Sequence, residues 1–198
     1  MGEKKLILFD FDGTLTKKDT LIEFIIYYQG KLKLYFGFFV NLISLFKYSI
    51  GLISNSRLKE IILSHFFKGE SVLKFNQKGE GFVKDVIPNL LKKDALSTLE
   101  NYIKSNDNKI IIVTASCSNW IKPWTDELGI ELIATELEVV NAQITGKIEG
   151  NNCYGPEKVS RIKSYINTDD YDTIISYGDS KGDRQMLDIA DFKYYKTF

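Results

Sequence analysis

The chain has 198 residues, of which 44% are hydrophobic and 26% are charged, and its formal net charge at pH 7 is zero. This length allows one substantial core, or a core domain with a smaller inserted one. Because the charge is balanced, a nucleic-acid-binding protein is not expected. Two cysteines, Cys117 and Cys153, are too few for a disulfide framework, which indicates a cytoplasmic protein.

The first predicted strand ends in two closely spaced carboxylates. An apolar run from Leu6 to Phe9 predicts a strand buried on both faces, as in a parallel sheet. Asp10 and Asp12 follow it, and the alternation of an extended chain directs both carboxylates to one side. Gly13 then permits a turn and a close approach to a ligand. This is the position at which open α/β sheets bind their ligands.

A helix-forming stretch follows this strand. Thr20–Glu23 has the form of a capping box that opens an apolar helix, and a further helix is expected from Arg57 to Phe67. The polar, glycine-containing segment Gln77–Gly81 predicts a linker, and a hinge, through which the chain returns to the core. The predicted domains are an α/β core of residues 1–16 and 84–198 and a helical cap of residues 17–83.

The segment from Leu32 to Ile53 is unusually apolar, and three arrangements of it are open. About 20 apolar residues suffice to span a membrane, but Lys47 within the run opposes a span. The segment can instead form a helical subdomain packed on itself. In the third arrangement its apolar surface meets a lipid or another subunit. Membrane contact is not the expected arrangement, and the chain is expected to be a monomer or a homodimer.

The rest of the chain alternates between helices and strands. This alternation favours a parallel sheet with right-handed crossovers. The predicted fold class is therefore α/β, with a Rossmann-like parallel sheet flanked by helices and an inserted all-α cap. Helices are expected at residues 89–104, 118–128, from 156 onward and at 184–190, strands at 109–113, 131–134, 173–177 and 192–195, and a hairpin at 137–148.

Polar residues stand where three predicted strands end, and Lys158 opens a helix between the second and the third. Carboxylates without neighbouring His or Cys ligands suit a hard cation, Mg²⁺ in particular. Mg²⁺ together with a lysine and a hydroxyl suits a phosphoryl group, which a carboxylate can accept covalently. The residue types therefore predict Mg²⁺-dependent phosphoryl chemistry. The strand-end residues are Asp10 and Asp12, Thr114 and Ser116, and Asp179 and Asp183.

These residues form four ordered motifs, through which the sequence resembles the haloacid-dehalogenase-like hydrolase superfamily in its phosphoserine-phosphatase-like branch. The motifs are Asp10–Thr16, Thr114, Lys158 and Gly178–Asp183. The resemblance covers the whole core. The insertion between the first two motifs matches the small helical cap of that family.

The resemblance implies a role for each acidic residue of the motifs. Asp10 would be the nucleophile that forms an aspartyl-phosphate, and Asp12 would be the general acid and base. Mg²⁺ would bind the carboxylates of Asp10 and Asp179 and the backbone carbonyl of Asp12. Asp183 would hold a metal-bound water or Lys158.

The resemblance also implies a set of substrate contacts. The Gly13 amide, the Thr114 hydroxyl and the Ala115 amide would hold phosphate oxygens, and Lys158 would offset charge on the nucleophile and the transferring group. Asp19 occupies the place of an acidic residue that binds a substrate amine. Arg57, the only arginine of the predicted cap, is the candidate for a substrate carboxylate.

The predicted function is hydrolysis of a small phosphomonoester, with or without an apolar tail, through an aspartyl-phosphate. Two alternatives stay open. One is a phosphotransferase with the same intermediate. The other is a catalytically silent module that binds a membrane or a partner protein.

Overall fold

The computed structural model describes residues 3–105 and 108–198. Within these ranges the chain forms six strands and ten α-helices, of which the first seven helices lie between β1 and β2 in the sequence. The strands are β1 (Lys5–Phe9), β2 (Asn108–Cys117), β3 (Glu131–Val140), β4 (Gln143–Glu149), β5 (Thr173–Gly178) and β6 (Phe192–Tyr195). The helices are α1 (Thr20–Gln29), α2 (Lys31–Val40), α3 (Leu42–Ser49), α4 (Asn55–Phe67), α5 (Val72–Asp85), α6 (Ile87–Leu90), α7 (Lys93–Lys104), α8 (Lys122–Leu128), α9 (Pro156–Tyr165) and α10 (Arg184–Asp188).

The six strands form a single sheet in the order β4-β3-β2-β1-β5-β6. All neighbouring strands are parallel except β3 and β4, which form an antiparallel hairpin. Phe9 at the end of β1 is paired with Ile112 of β2 and Tyr177 of β5. The carboxyl ends of the three central strands therefore meet at one edge of the sheet, and the predicted α/β class is confirmed.

The central strand is buried on both faces, as its apolar run predicts. Leu6 and Leu8 pack in an apolar cluster on one face, whereas Ile7 and Phe9 pack in a larger cluster on the other. All four side chains are fully buried. Because neither face of the strand meets water, the polar residues of this segment come after the buried run, beginning with Asp10.

Helices α1 to α5 follow β1 in the sequence, and one aromatic cluster packs them against the end of β2. Phe24 of α1 lies against aromatic rings of α4 and α5. It also stacks on Trp120, which follows β2, with ring centroids 4.7 Å apart. The insert and the sheet thus share an apolar core, and the division into residues 1–16 with 84–198 and 17–83 stays a prediction.

The predicted linker at Gln77–Gly81 is wrong, because these residues lie inside α5. Gly79 and Gly81 allow neighbouring groups to pack closely against α5. A Cβ at Gly79 would overlap the backbone carbonyl of Asn119, and one at Gly81 would meet the Tyr27 hydroxyl. The helix continues through both glycines, in contrast to the predicted hinge, and the predicted boundary between residues 83 and 84 falls within this helix.

Two further predictions need correction. The N-cap of α1 is Asp19 and not Thr20, since an oxygen of the Asp19 carboxylate accepts a hydrogen bond from the Ile22 amide. The helix predicted at residues 89–104 is divided into α6 and α7. The apolar segment 32–53 forms the two short helices α2 and α3, and in the described part of the chain no helix has the length and apolar character of a membrane span.

Candidate active site

A polar site lies at the carboxyl edge of the sheet, where the loops after β1 and β5 meet the last residues of β2. Its centre is Lys158, which lies in the first turn of α9 and is 1% exposed. Its ammonium donates hydrogen bonds to Asp10 Oδ1 at 2.6 Å, to Asp183 Oδ1 at 2.6 Å and to the Val113 carbonyl at 2.7 Å. One buried cation thus joins three segments that are distant in the sequence.

Burial and the neighbouring charges shift the pKa values of the two aspartates that contact Lys158. Burial raises the pKa of Asp10 to about 7, although the Lys158 charge acts to lower it. Burial also acts to raise the pKa of Asp183, but Lys158 and hydrogen bonds from Ser180 outweigh it and hold the pKa below its usual range. The lowered pKa favours the anionic form of Asp183 beside Lys158, so Asp10 shares the positive charge of Lys158 with a second carboxylate.

Asp183 is held in place by the loop that precedes it. Its Oδ2 accepts hydrogen bonds from the Ser180 hydroxyl at 2.7 Å and amide at 2.9 Å, and from the Asp179 amide at 3.2 Å. Both oxygens of Asp183 are therefore engaged within the protein. This geometry matches the expectation that Asp183 holds Lys158.

Asp10, Asp179 and Asp183 offer carboxylate oxygens within 4.8 Å of one another, close enough to serve one metal ion. Asp179 Oδ1 is buried and has no hydrogen-bond partner among the described residues. Burial raises the pKa of Asp179, and the nearby Asp183 charge adds to this. Oxygen-only donors with one unpartnered buried oxygen fit a hard cation such as Mg²⁺, whose charge would compensate this acidic cluster.

Gly13 lets Asp179 approach the loop after β1. Its φ of +81° is accessible to glycine but strained for other residues, and a Cβ there would overlap the Asp179 carboxylate. The carboxylates that follow β1 and β5 can meet only because position 13 has no side chain.

The Asp12 carboxylate points away from the acidic cluster, towards the helical insert. It accepts a hydrogen bond from the Thr20 amide at 2.6 Å and another from the Ser116 hydroxyl. Burial raises the pKa of Asp12 to about 6, and the Asp19 charge adds to this, while the two hydrogen bonds act to lower it. A carboxyl with a pKa near neutrality suits proton donation and proton return. The role predicted for Asp12 in metal binding concerned its backbone carbonyl, and its carboxylate is not in the cluster.

The residues predicted to hold phosphate lie along the same cavity. Gly13, Thr114, Ala115 and Lys158 all line it. The Thr114 hydroxyl oxygen accepts a hydrogen bond from the Ser116 amide at 3.0 Å, which leaves its proton available for donation. The structure thus brings together the four residues of the predicted phosphate site.

The cavity has a volume of about 550 Å³ and two chemically different ends. The aspartates, Thr114 and Lys158 form the end at the sheet. Apolar side chains of α1 to α4 form much of the opposite wall. These apolar residues are Leu21, Ile22, Phe38, Leu45, Leu58 and Ile62.

The two predicted contacts in the insert differ in position. Asp19 lines the cavity while it caps α1. Arg57 is exposed, pairs with Glu60 at 3.3 Å and is not among the residues that line the cavity. On α4 the cavity instead meets Asn55, Leu58, Lys59 and Ile62.

Lys59 is a cavity residue that the sequence reasoning missed. Its ammonium donates to the Ala115 carbonyl and, at 3.1 Å, to Asn152 Oδ1. Helical spacing could have identified it, since residues 58, 59 and 62 lie on one side of α4, the side that lines the cavity. Arg57 lies two residues from Lys59, about 200° around the helix axis, and so faces elsewhere.

Neither cysteine is suited to be a nucleophile. Cys117 and Cys153 are fully buried, and burial raises the pKa of each thiol to about 11. Nucleophilic cysteines need a lowered pKa and access to substrate. Neither thiol lines the cavity, whereas the Asp10 carboxylate does.

Known proteins resemble this chain in sequence and in fold. The chain is 34% identical over 198 residues to Protein CicA of Caulobacter vibrioides, an alignment that covers 99% of this chain and 87% of CicA. A protein of Bordetella pertussis Tohama I superposes with a TM-score of 0.78 at 24% identity, covering 96% of this chain and 88% of that one.

A phospho-aspartyl intermediate analogue of phosphoserine phosphatase superposes with a TM-score of 0.63 at 24% identity, covering 97% of this chain and 86% of that one. These structural likenesses show a shared fold of the phosphoserine-phosphatase-like type. The haloacid dehalogenase-like hydrolase profile matches residues 7–188, which include all four motifs. The chain therefore belongs to the haloacid dehalogenase-like hydrolase family.

Proposed function

We propose that this chain is a Mg²⁺-dependent phosphomonoesterase that works through an aspartyl-phosphate on Asp10. The observation that carries the proposal is the contact of Asp10 with Lys158, beside an unpartnered oxygen of Asp179. A carboxylate, a fixed cation and an unpartnered carboxylate oxygen therefore lie together at one end of the cavity. Phosphoryl transfer needs such positioning and charge compensation more than any other contribution from the protein.

In the first step, a carboxylate oxygen of Asp10 forms a bond to phosphorus. The bond between phosphorus and the ester oxygen breaks, and the leaving oxygen takes its electron pair. The Asp12 carboxyl gives its proton to that oxygen. The product is an alcohol, and the phosphoryl group remains on Asp10.

In the second step, the Asp12 carboxylate accepts a proton from a water molecule. The water oxygen forms a bond to phosphorus, and the bond between phosphorus and the Asp10 oxygen breaks. Orthophosphate leaves, and both aspartates return to their initial protonation states. The pKa of about 6 for Asp12 allows it to serve in both directions near neutral pH.

The remaining residues of the site compensate the negative charge of the phosphoryl group and orient it. Asp10 and Asp179 would bind Mg²⁺, which when bound supplies positive charge beside the transferring oxygens. Lys158 supplies a second positive charge and keeps Asp10 in place. The Thr114 hydroxyl and the Gly13 and Ala115 amides are available to orient the phosphate.

The test is hydrolysis of p-nitrophenyl phosphate with Mg²⁺ and, separately, with EDTA. We expect turnover with Mg²⁺, release of orthophosphate, and loss of both in the Asp10→Asn variant. The matched control is Asp188→Asn, because Asp188 is exposed, pairs with Lys193 and does not line the cavity. Wild-type turnover by a folded Asp10→Asn variant would contradict the proposal, and phosphate passed to added alcohols in preference to water would favour a phosphotransferase.

A further inference from the structure

The first two helices after α1 expose an unusual number of large apolar side chains. Of the nineteen large hydrophobic residues that are exposed in the described part of the chain, eleven lie between residues 32 and 52. We call the outward side of these helices the α2–α3 face. It consists of Leu32, Tyr35, Phe36, Phe39, Val40, Leu42, Ile43 and Phe46.

This exposure follows from how the two helices pack. In α2 only Leu34 and Gly37 are buried, and a Cβ at Gly37 would overlap the Phe66 ring of α4. In α3 no residue is buried. The inward side of α2 is therefore already in contact with α4, and the described part of the chain leaves the apolar residues of the α2–α3 face uncovered. Contiguous apolar surface of this kind marks an interaction site.

The charge of this segment indicates what kind of partner it meets. Between residues 24 and 59 the sequence contains no Asp or Glu, although the chain as a whole is neutral. Lys31, Lys33 and Lys47 are all exposed within the segment. Exposed apolar side chains and lysines without acidic neighbours suit the interface of an anionic bilayer, which accepts the apolar groups and attracts the positive charges.

The charge also argues against a second copy of the chain as the partner. A symmetric dimer places the same face of each copy against the other. Lys31, Lys33 and Lys47 of both copies would then approach one another, and the segment has no acidic residue to pair with them. An anionic bilayer satisfies the apolar and the basic residues together.

The α2–α3 face is continuous with the wall of the active-site cavity. Phe38 of α2 and Leu45 of α3 line that cavity, whereas their neighbours Phe39 and Phe46 are on the exposed face. The same two helices thus border both the cavity and the surface. An apolar chain attached to a phosphate at Asp10 would follow the apolar wall towards this surface.

We propose that the α2–α3 face inserts into the interfacial layer of an anionic bilayer, and that the substrate is a phosphomonoester with a long apolar chain in that bilayer. The surface part of this inference is independent of catalysis. The substrate part rests on the proposed phosphomonoesterase activity. The two parts therefore need separate measurements.

Vesicle flotation tests the surface. We expect the chain to float with vesicles that contain phosphatidylglycerol, to bind phosphatidylcholine vesicles less, and to lose affinity as salt screens the lysines. Phe36→Ser combined with Phe39→Ser should lower vesicle affinity at least about tenfold. The control is Phe192→Ser, because Phe192 is also exposed but lies in β6 of the sheet.

A charge-reversal pair tests the electrostatic part. Lys31→Glu with Lys33→Glu should lower affinity for the anionic vesicles by about tenfold or more. Lys104→Glu with Lys163→Glu changes the net charge equally on exposed positions of α7 and α9, and should leave binding unchanged. Equal loss in both pairs would overturn a localised docking surface.

Two substrates separate this inference from the proposed function. Turnover of soluble p-nitrophenyl phosphate should be the same in the wild type and the Phe36→Ser/Phe39→Ser variant, whereas hydrolysis of a long-chain alkyl phosphate in vesicles should fall with the loss of binding. Failure of p-nitrophenyl phosphate hydrolysis in the wild type would reject the proposed function and leave the flotation result standing. Absence of vesicle binding, or a dimer in sedimentation that the variant abolishes, would overturn the bilayer proposal.

Discussion

At the scale of single residues, the site depends on one lysine among three carboxylates. Lys158 is fully buried, and its pairing with Asp10 and Asp183 raises its pKa above the usual range despite burial. A buried ion pair contributes little compared with apolar packing, but the loss of one partner leaves an uncompensated buried charge.

Lys158→Ala should therefore lower the free energy of unfolding as well as activity. The expected loss is about 3 kcal/mol, the size typical of a broken buried pair. Urea denaturation followed by circular dichroism measures it. Lys163→Ala is the control, since Lys163 is exposed on the same helix and should change stability by less than about 0.5 kcal/mol. A stable but inactive Lys158→Ala variant would mean that the lysine serves catalysis alone.

The Asp12→Asn variant should separate the two chemical steps. Nitrophenolate is a good leaving group and needs little protonation, so phosphorylation of Asp10 should continue. Hydrolysis of the aspartyl-phosphate needs a base, which asparagine cannot supply, so this step should slow by about 100-fold or more. Rapid mixing with p-nitrophenyl phosphate should then show a burst of one nitrophenolate per enzyme. Slow release without a burst would assign Asp12 to the first step only.

At the scale of helices and strands, an element can be predicted when its pattern of apolar and polar residues matches its burial in the folded chain. The strand at Leu6–Phe9 is recognisable because it is apolar on both faces, and both faces are buried. The segment Gln77–Gly81 is misleading because its glycines indicate flexibility, whereas the structure uses them for contact with Asn119 and Tyr27. Such contacts join segments distant in the chain, and the local sequence does not record them.

Substitution of the two glycines of α5 tests this difference. An exposed Gly→Ala change within a helix normally stabilises by about 1 kcal/mol. At Gly79 the added methyl group would overlap the Asn119 backbone, so Gly79→Ala should destabilise by about 1–3 kcal/mol.

Gly81→Ala is the matched comparison in the same helix. The added methyl group meets only the end of the Tyr27 side chain, which can move. This change should be neutral or stabilising. The melting temperatures of both variants give the answer, and an equal increase in both would show that Gly79 does not need its close contact with Asn119.

At the scale of the whole molecule, the candidate site could be predicted because its chemistry lies in ordered motifs at strand ends. The parallel sheet brings Asp10, Thr114 and Asp179 to one edge, whatever the details of the insert. The cavity wall supplied by the insert was harder to predict. Whether Arg57 or Lys59 faces the cavity depends on the rotation of α4, which its packing on the sheet and on α2 decides.

The carboxylates at this edge come from the residues after β1, after β5 and before α10, and they meet only in the folded chain. Binding of Mg²⁺ to them should therefore stabilise the whole chain. Ligand binding to the folded state alone raises the free energy of unfolding by about 2.7 kcal/mol at a concentration 100 times the dissociation constant. Mg²⁺ should therefore raise the melting temperature, and EDTA should reverse the rise. Because Asp179 holds the unpartnered oxygen, Asp179→Asn should remove this response while Asp172→Asn, at an exposed carboxylate before β5, should keep it. A full Mg²⁺ response in Asp179→Asn would place the cation elsewhere and remove the metal from the mechanism proposed for this cavity.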